Sequence, residues 1–162
     1  MPGQIVKKIA VFADVQNIYY TTRDAYGRQF DYKKLMQRVG AGGEIVSATA
    51  YAIDRGDDKQ LKFQSALRHL GFTIKLKPYL QRSDGSAKGD WDVGIAIDVM
   101  DMAKDVDTVV LLSGDGDFDL LLHKIKVDHD VSAEVYGVPA LTARSLVDAA
   151  SVFHAIDPGL LL

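Results

Sequence analysis

The chain has 162 residues, 48% of them hydrophobic and 25% charged, with a net charge of −3. That balance belongs to a globular chain with an ordinary core, and it excludes a disordered or low-complexity one. The absence of cysteine excludes disulfide staples and thiolate metal sites, and no apolar run approaches the roughly 20 residues that cross a bilayer, so no membrane partner is expected.

The first residues, Met1 to Lys8, hold no signal-peptide core and lead straight into an apolar strand. A cytoplasmic protein forming a single domain over 1–162, with its core over about 7–156 and short tails, is the expectation. Strand Ile9–Ala13 runs directly into Asp14, and a helix follows from about Asn17 to Tyr26, closed by Gly27. Asp31 reads as the N-cap of a helix over Tyr32–Val39, with Gly40 as its stop. Ile45–Ile53 is a second strand. Asp57 or Asp58 then opens a helix with apolar positions at Leu61, Phe63, Leu67 and Leu70, ended by Gly71.

Phe72–Leu76 predicts a third strand, followed by the polar segment Gln81–Gly89, read as a loop. A helix is expected from Asp90 to about Ala103, buried through Val93, Ile97 and Met100. Strand Thr108–Leu112, helix Phe118–Val127, strand Ser132–Tyr136, helix Leu141–Ala149 and strand Val152–Ile156 complete the pattern. Leu160-Leu161-Leu162 reads as a tail. Strands that alternate with helices predict an α/β/α sandwich around a mostly parallel sheet.

Two of these strands end in acids. Asp14 closes the first, and Ser113-Gly114-Asp115-Gly116-Asp117-Phe118 follows the apolar run Val109–Leu112. In open α/β sheets the ligand crevice lies outside the carboxyl ends of the strands, so both deliver carboxylates to one edge. Asp92, in the expected first turn of its helix, joins them. Oxygen-only donors suit a hard cation such as Mg²⁺ or Mn²⁺, and clustered acids repel one another without one. Gly114 and Gly116 would let the chain turn sharply and leave room for a ligand.

Each acid has a structural alternative. Asp14 and Asp117 could cap the helices that follow them, and Asp92 could answer a helix dipole. Asp98 lies six positions beyond Asp92, about 240° around the helix, and cannot easily face the same ion. Asn17 could steady Asp14, contact a phosphate or form an Asx turn. Ser113 could orient a water or satisfy its own turn. Lys88 stands close in sequence to the acids.

Charge is unevenly distributed. From Arg55 to Lys88 there are eight bases against three acids, and from Asp90 to Asp119 nine acids against one base. An acidic cluster beside a basic approach surface suits an enzyme acting on a phosphate polyanion.

The segments Phe12-Ala13-Asp14-Val15-Gln16-Asn17, Lys88-Gly89-Asp90-Trp91-Asp92-Val93 and Ser113-Gly114-Asp115-Gly116-Asp117-Phe118 resemble, in order, the three motifs of NYN domains, the LabA-like branch of the PIN-like nuclease superfamily. The second carries one residue more than the family's common Lys-Gly-Val-Asp-Val form. The resemblance implies a Rossmann-like sandwich and a ribonuclease site that uses Mg²⁺ or Mn²⁺. Asp14, Asp92, Asp115 and Asp117 match the family's acids, with Asp98 as a second-tier match and Asn17 as the polar partner. RNA, single-stranded or structured, is the expected partner, positioned by Arg55, Lys59, Arg82 and Lys88. Tyr19, Tyr20 or Trp91 could stack on its unpaired bases. A homodimer is compatible with this reading.

Two alternatives stand beside it. One is a non-catalytic RNA- or protein-binding adaptor on the same fold. The other is a haloacid-dehalogenase-like phosphohydrolase, which would want a second acid where this chain has Gln16.

Overall fold

The computed structural model describes residues 6–78, 80–81, 87–88 and 90–162, with backbone alone at 80–81 and 87–88. Its centre is a pair of strands, β1 (Lys8–Asp14) and β6 (Thr108–Leu112), buried along their whole length except at Lys8. Such unbroken apolar runs mark parallel strands covered on both faces. On one side of this pair lie β2 (Glu44–Asp54) and β3 (Thr73–Pro78), and on the other β7 (Ser132–Gly137) and β8 (Val152–Ala155). The six pair in parallel in the order β3-β2-β1-β6-β7-β8. Two short strands, β4 (Leu80–Gln81) and β5 (Ala87–Lys88), pair antiparallel with one another at the two ends of the polar segment read as a loop.

Alternate residues of β1 face opposite layers. Ile9, Val11 and Ala13 share one core with Ile18 of α1 (Val15–Tyr26), Leu35 of α2 (Tyr32–Gly40) and Leu67 of α3 (Asp58–His69). Ala10 and Phe12 share the other with Ile95 and Val99 of α4 (Asp92–Ala103), Leu122 of α5 (Asp119–His129) and Leu146 of α6 (Arg144–Ala149). This is the three-layer α/β/α sandwich with a Rossmann-like parallel sheet. The chain winds outward through β2 and β3, then returns to the far side of β1 as β6. The strand order therefore reverses between β1 and β6, which is where such sheets place their ligands. Among the described residues no helix is long and apolar enough to cross a membrane.

Several expectations are corrected. α4 buries Ile95, Val99 and Ala103, whereas Val93, Ile97 and Met100 are 72%, 54% and 45% exposed. The helix is apolar nearly all round, so periodicity alone could not choose its face. The flank at Asp98 shows how it sits: Tyr51 Oη donates to Asp98 at 2.7 Å and Lys75 Nζ at 2.6 Å. On α3 Leu61 is 54% exposed, and Gln64 is buried beside Leu67. Gly40 is the last residue of α2 rather than a left-handed stop, and Ala41 caps the helix in a right-handed conformation. A 3-10 turn at Gly116–Phe118 precedes α5, and another at Pro139–Leu141 precedes α6.

The C-terminal leucines are not a free tail. Leu160 and Leu161 are buried, Asp31 N–H donates to the Leu160 carbonyl at 2.8 Å, and Leu162 N–H donates to the Gln29 carbonyl at 2.8 Å. Leu160→Ala is expected to destabilise the protein by about 2–4 kcal/mol through lost burial and a residual cavity. Leu162→Ala, at a position 66% exposed, should stay within about 0.5 kcal/mol. Chemical denaturation of the two variants checks this.

Candidate metal centre

Asp14 is the last residue of β1, and Ser113 directly follows β6. The strands run in register from Ile9 beside Thr108 to Ala13 beside Leu112, so their ends emerge side by side. Ser113, fully buried, uses its hydroxyl twice: it donates to Asp14 Oδ2 at 3.0 Å and accepts the Asp115 N–H at 3.1 Å. Asn17, in the first turn of α1, accepts the Gly114 N–H on its side-chain oxygen at 2.8 Å. These bonds tie the β1–α1 junction to the β6–α5 turn. Asp115 in turn accepts the Asp117 N–H at 2.9 Å and caps the 3-10 turn. The capping expected of Asp117 thus falls to Asp115. Asp14 makes no side-chain capping bond, although the nearby Asn17 N–H favours its anion.

Asp92 arrives from the other side, at the start of α4. One carboxylate oxygen from each of Asp92, Asp115 and Asp117 lies within 4.8 Å of the others. Asp92 and Asp115 are half-buried and Asp117 is exposed, while Asp14, close enough to add repulsion, is buried. A donor set made of oxygen alone fits a hard divalent cation.

The electrostatics carry the cost of this gathering. Asp14 is 9% exposed, and burial, with smaller repulsion from Asp115 and Asp90, pushes its carboxyl up to about 6 against the Ser113 hydrogen bond. Asp92 is pushed up to about 7, first by burial and then by the adjacent Asp115, with Asp90 and Asp14 adding repulsion. Asp90 is thus a member of the acidic field that its sequence position, taken for a helix start, concealed.

The two glycines act by close approach. Neither has positive φ. A Cβ on Gly114 would stand 2.6 Å from the Leu141 carbonyl oxygen, and one on Gly116 would stand 2.8 Å from Ala143 Cβ. The space expected for a ligand is filled by the β7–α6 segment, whose Ala143 N–H also donates to the Gly114 carbonyl at 3.0 Å. Ser145 Oγ would be 3.1 Å from that Gly116 Cβ, which puts a hydroxyl on the rim that the sequence reading missed. The available signal was Thr142, Arg144 and Ser145 in the segment that follows a strand ending at the same edge.

The remaining candidates divide. Asp98 is held by Tyr51 and Lys75 on the opposite flank of α4 and is not in the acidic group. Arg55 and Lys59 are exposed at the carboxyl end of β2 and in the first turn of α3, on the edge that carries Asp14. Lys88 lies on β5, and Arg82 lies outside the described residues. Tyr19 is 48% exposed, its ring 5.3 Å from that of Tyr20, with the Arg23 guanidinium within 5.4 Å of both rings. Trp91 is engaged by its own chain, donating Nε1–H to the Ala52 carbonyl at 2.8 Å.

The family model for the NYN domain matches residues 8–157. The chain belongs to the NYN domain family. NYN domains form part of the PIN-like nuclease superfamily. It is similar to the Low amplitude and bright protein LabA of Synechococcus elongatus (strain ATCC 33912 / PCC 7942 / FACHB-805), at 29% identity over 87% of this chain and 81% of that protein. A crystal structure of a protein of unknown function, VPA0982 from Vibrio parahaemolyticus RIMD 2210633, superposes with a TM-score of 0.94 at 51% identity, covering 100% of both chains. A carbohydrate kinase from Agrobacterium tumefaciens, with a TM-score of 0.50 and 14% identity over 91% of this chain and 60% of its own, shares the fold alone.

The raised carboxyls set a pH dependence for this NYN domain. The folded protein holds protons that the unfolded chain releases near pH 4. The two sites therefore subtract stability as pH rises from about 4 through their folded values of about 6 and 7. Metal-free protein should melt at a lower temperature at about pH 8 than at about pH 5, with Asp92→Asn recovering part of the loss. Melting curves across pH, with and without a chelator, test it.

Proposed function

We propose that this NYN domain is a metal-dependent ribonuclease that hydrolyses RNA phosphodiester bonds at the carboxyl edge of its sheet, with Mg²⁺ or Mn²⁺ as cofactor. The observation that carries the reading is the convergence of Asp92, Asp115 and Asp117 oxygens within 4.8 Å, from two separate segments of the chain, at the reversal of strand order. Membership of a nuclease superfamily supports it. A bound divalent ion would supply an acidified water and stabilise charge on the phosphoryl oxygens.

The chain's own residues do the rest. Asp92, Asp115 and Asp117 would hold the ion, and Asp14, oriented by the Ser113 hydroxyl, would complete the acidic wall and receive a proton from water. Asn17 keeps the β6–α5 turn closed over β1 through the Gly114 N–H. Arg55 and Lys59 approach the RNA backbone from the β2–α3 side, and to Arg82 and Lys88 we assign the same task on sequence grounds. Phosphate contacts of this kind position a strand without reading its sequence. Tyr19, beside Arg23, offers a surface on which an unpaired base can stack. A cytoplasmic location accords with such a substrate.

Asp115→Asn is expected to lower RNA cleavage by about 100-fold or more, and Ser113→Ala by about 10-fold as the loss of an orienting contact. Wild type should gain about 2.7 kcal/mol of stability at 100 times the metal dissociation constant, a gain that Asp115→Asn largely loses. Cleavage assays on labelled RNA and thermal unfolding over a Mn²⁺ titration check both. RNA bound without turnover, and unaffected by Asp115→Asn, would sink the ribonuclease reading in favour of the adaptor.

A further inference from the structure

Trp91 stands where a helix usually carries a small polar cap. It is the N-cap of α4, with φ −112° and ψ 15°, and makes no side-chain capping bond. Serine, threonine, aspartate or asparagine there would satisfy an N–H of the first turn. The indole makes other contacts instead. Its Nε1–H donates to the Ala52 carbonyl of β2 at 2.8 Å, and its ring packs 5.4 Å from that of Tyr51, tilted by 59°. Lys77 Nζ lies 4.5 Å from the indole centroid and donates to the Asp90 carbonyl at 2.7 Å. Gly94 completes the seat, since a Cβ there would come within 2.6 Å of indole Cε3. The Trp91 carbonyl accepts the Ile95 N–H at 2.7 Å, the first hydrogen bond of the helix.

The residue held next to this clamp is Asp92. Its carboxylate stands within 4.8 Å of Asp115 and Asp117, with Asp90 and Asp14 adding to the repulsion. A side chain on the first turn of an uncapped helix would relieve that repulsion by swinging toward solvent, because helix ends fray at little cost. A backbone pinned on both sides of the preceding residue does not allow it. Trp91 is the chain's one tryptophan.

We propose that Trp91 is a positioning residue of the acidic site: seated between Ala52, Tyr51, Lys77 and Gly94, it fixes the first turn of α4 and holds Asp92 against Asp115 and Asp117. The value of that placement for cation binding rests on the metal-site reading above; the clamp itself does not.

A double-mutant cycle in metal-free protein separates the two. Trp91→Phe keeps a ring in the seat and removes the N–H that Ala52 accepts; Lys77→Met keeps the stem and removes the donor to Asp90. At one fixed pH, Asp92→Asn should raise the denaturation midpoint of wild type by taking a carboxylate out of the crowded group. In the Trp91→Phe background that gain should fall by half or more, because the carboxylate has already moved away, and Lys77→Met should act in the same direction. Mn²⁺ affinity of folded Trp91→Phe, read by the electron paramagnetic resonance of free Mn²⁺, should drop about 10-fold.

An Asp92→Asn gain that is absent, or equal in both backgrounds, overturns the positioning role even if wild type binds Mn²⁺. A gain lost in Trp91→Phe, in a wild type that binds no Mn²⁺, supports the positioning role and overturns the metal reading.

Discussion

The parallel pairing of β1 with β6 is the contact on which the rest of the molecule depends. It joins segments 99 residues apart, as the Ser113–Asp14 hydrogen bond measures, and its loop-closure entropy must be met by the two apolar layers that close over it. Once Ala13 stands beside Leu112, the next residue of each strand falls at the same edge, and the acidic group follows. A one-residue slip in that register would move Asp14 to the opposite face, because side chains alternate along a strand.

Gathering carboxylates at this edge works against stability, and the surrounding structure offsets it locally. Ser113 gives Asp14 a hydrogen bond, Asp115 takes the Asp117 N–H, and Asn17 takes the Gly114 N–H. None of these removes the repulsion. Burial still pushes Asp14 and Asp92 well above the usual carboxylate range. In the function proposed above, a cation would relieve that repulsion and couple its own binding to folding, since the ligands must be deprotonated to bind. The close approach of the β7–α6 segment to Gly114 and Gly116 makes the turn rigid, so the acids are held rather than free to spread.

α4 shows how a site can direct the packing of a helix. It carries apolar residues on opposite sides and could bury either. The side that faces the sheet, through Ile95, Val99 and Ala103, is the one that turns Asp92 toward β6 and gives Asp98 to Tyr51 and Lys75. The alternative face would have buried Val93, Ile97 and Met100 and rotated Asp92 away from Asp115. The hydrogen bonds that Asp98 accepts from Tyr51 and Lys75 favour the observed face, together with the packing of Ile95, Val99 and Ala103 on the sheet.

What the amino-acid sequence by itself determined is the strands and helices of the sandwich and the edge at which its acids gather. Unbroken apolar strands, the Asp31 and Asp57 caps and the Gly27 and Gly71 stops are local signals, fixed by backbone conformation within a few residues, and β1, β2, α3, β6 and β7 form near where those signals put them. That Asp14 and Asp115 share one edge followed from the rule for parallel sheets, and Asp98 was separable from Asp92 by helical angle alone. Only the tertiary structure decided which face of α4 is buried, that Leu160 and Leu161 are core, that Gly114 and Gly116 make room for Leu141 and Ala143, and that Trp91 is fastened to Ala52. Each of these is a contact between segments distant in the chain, where two local solutions are nearly equal in energy and packing against a third element breaks the tie.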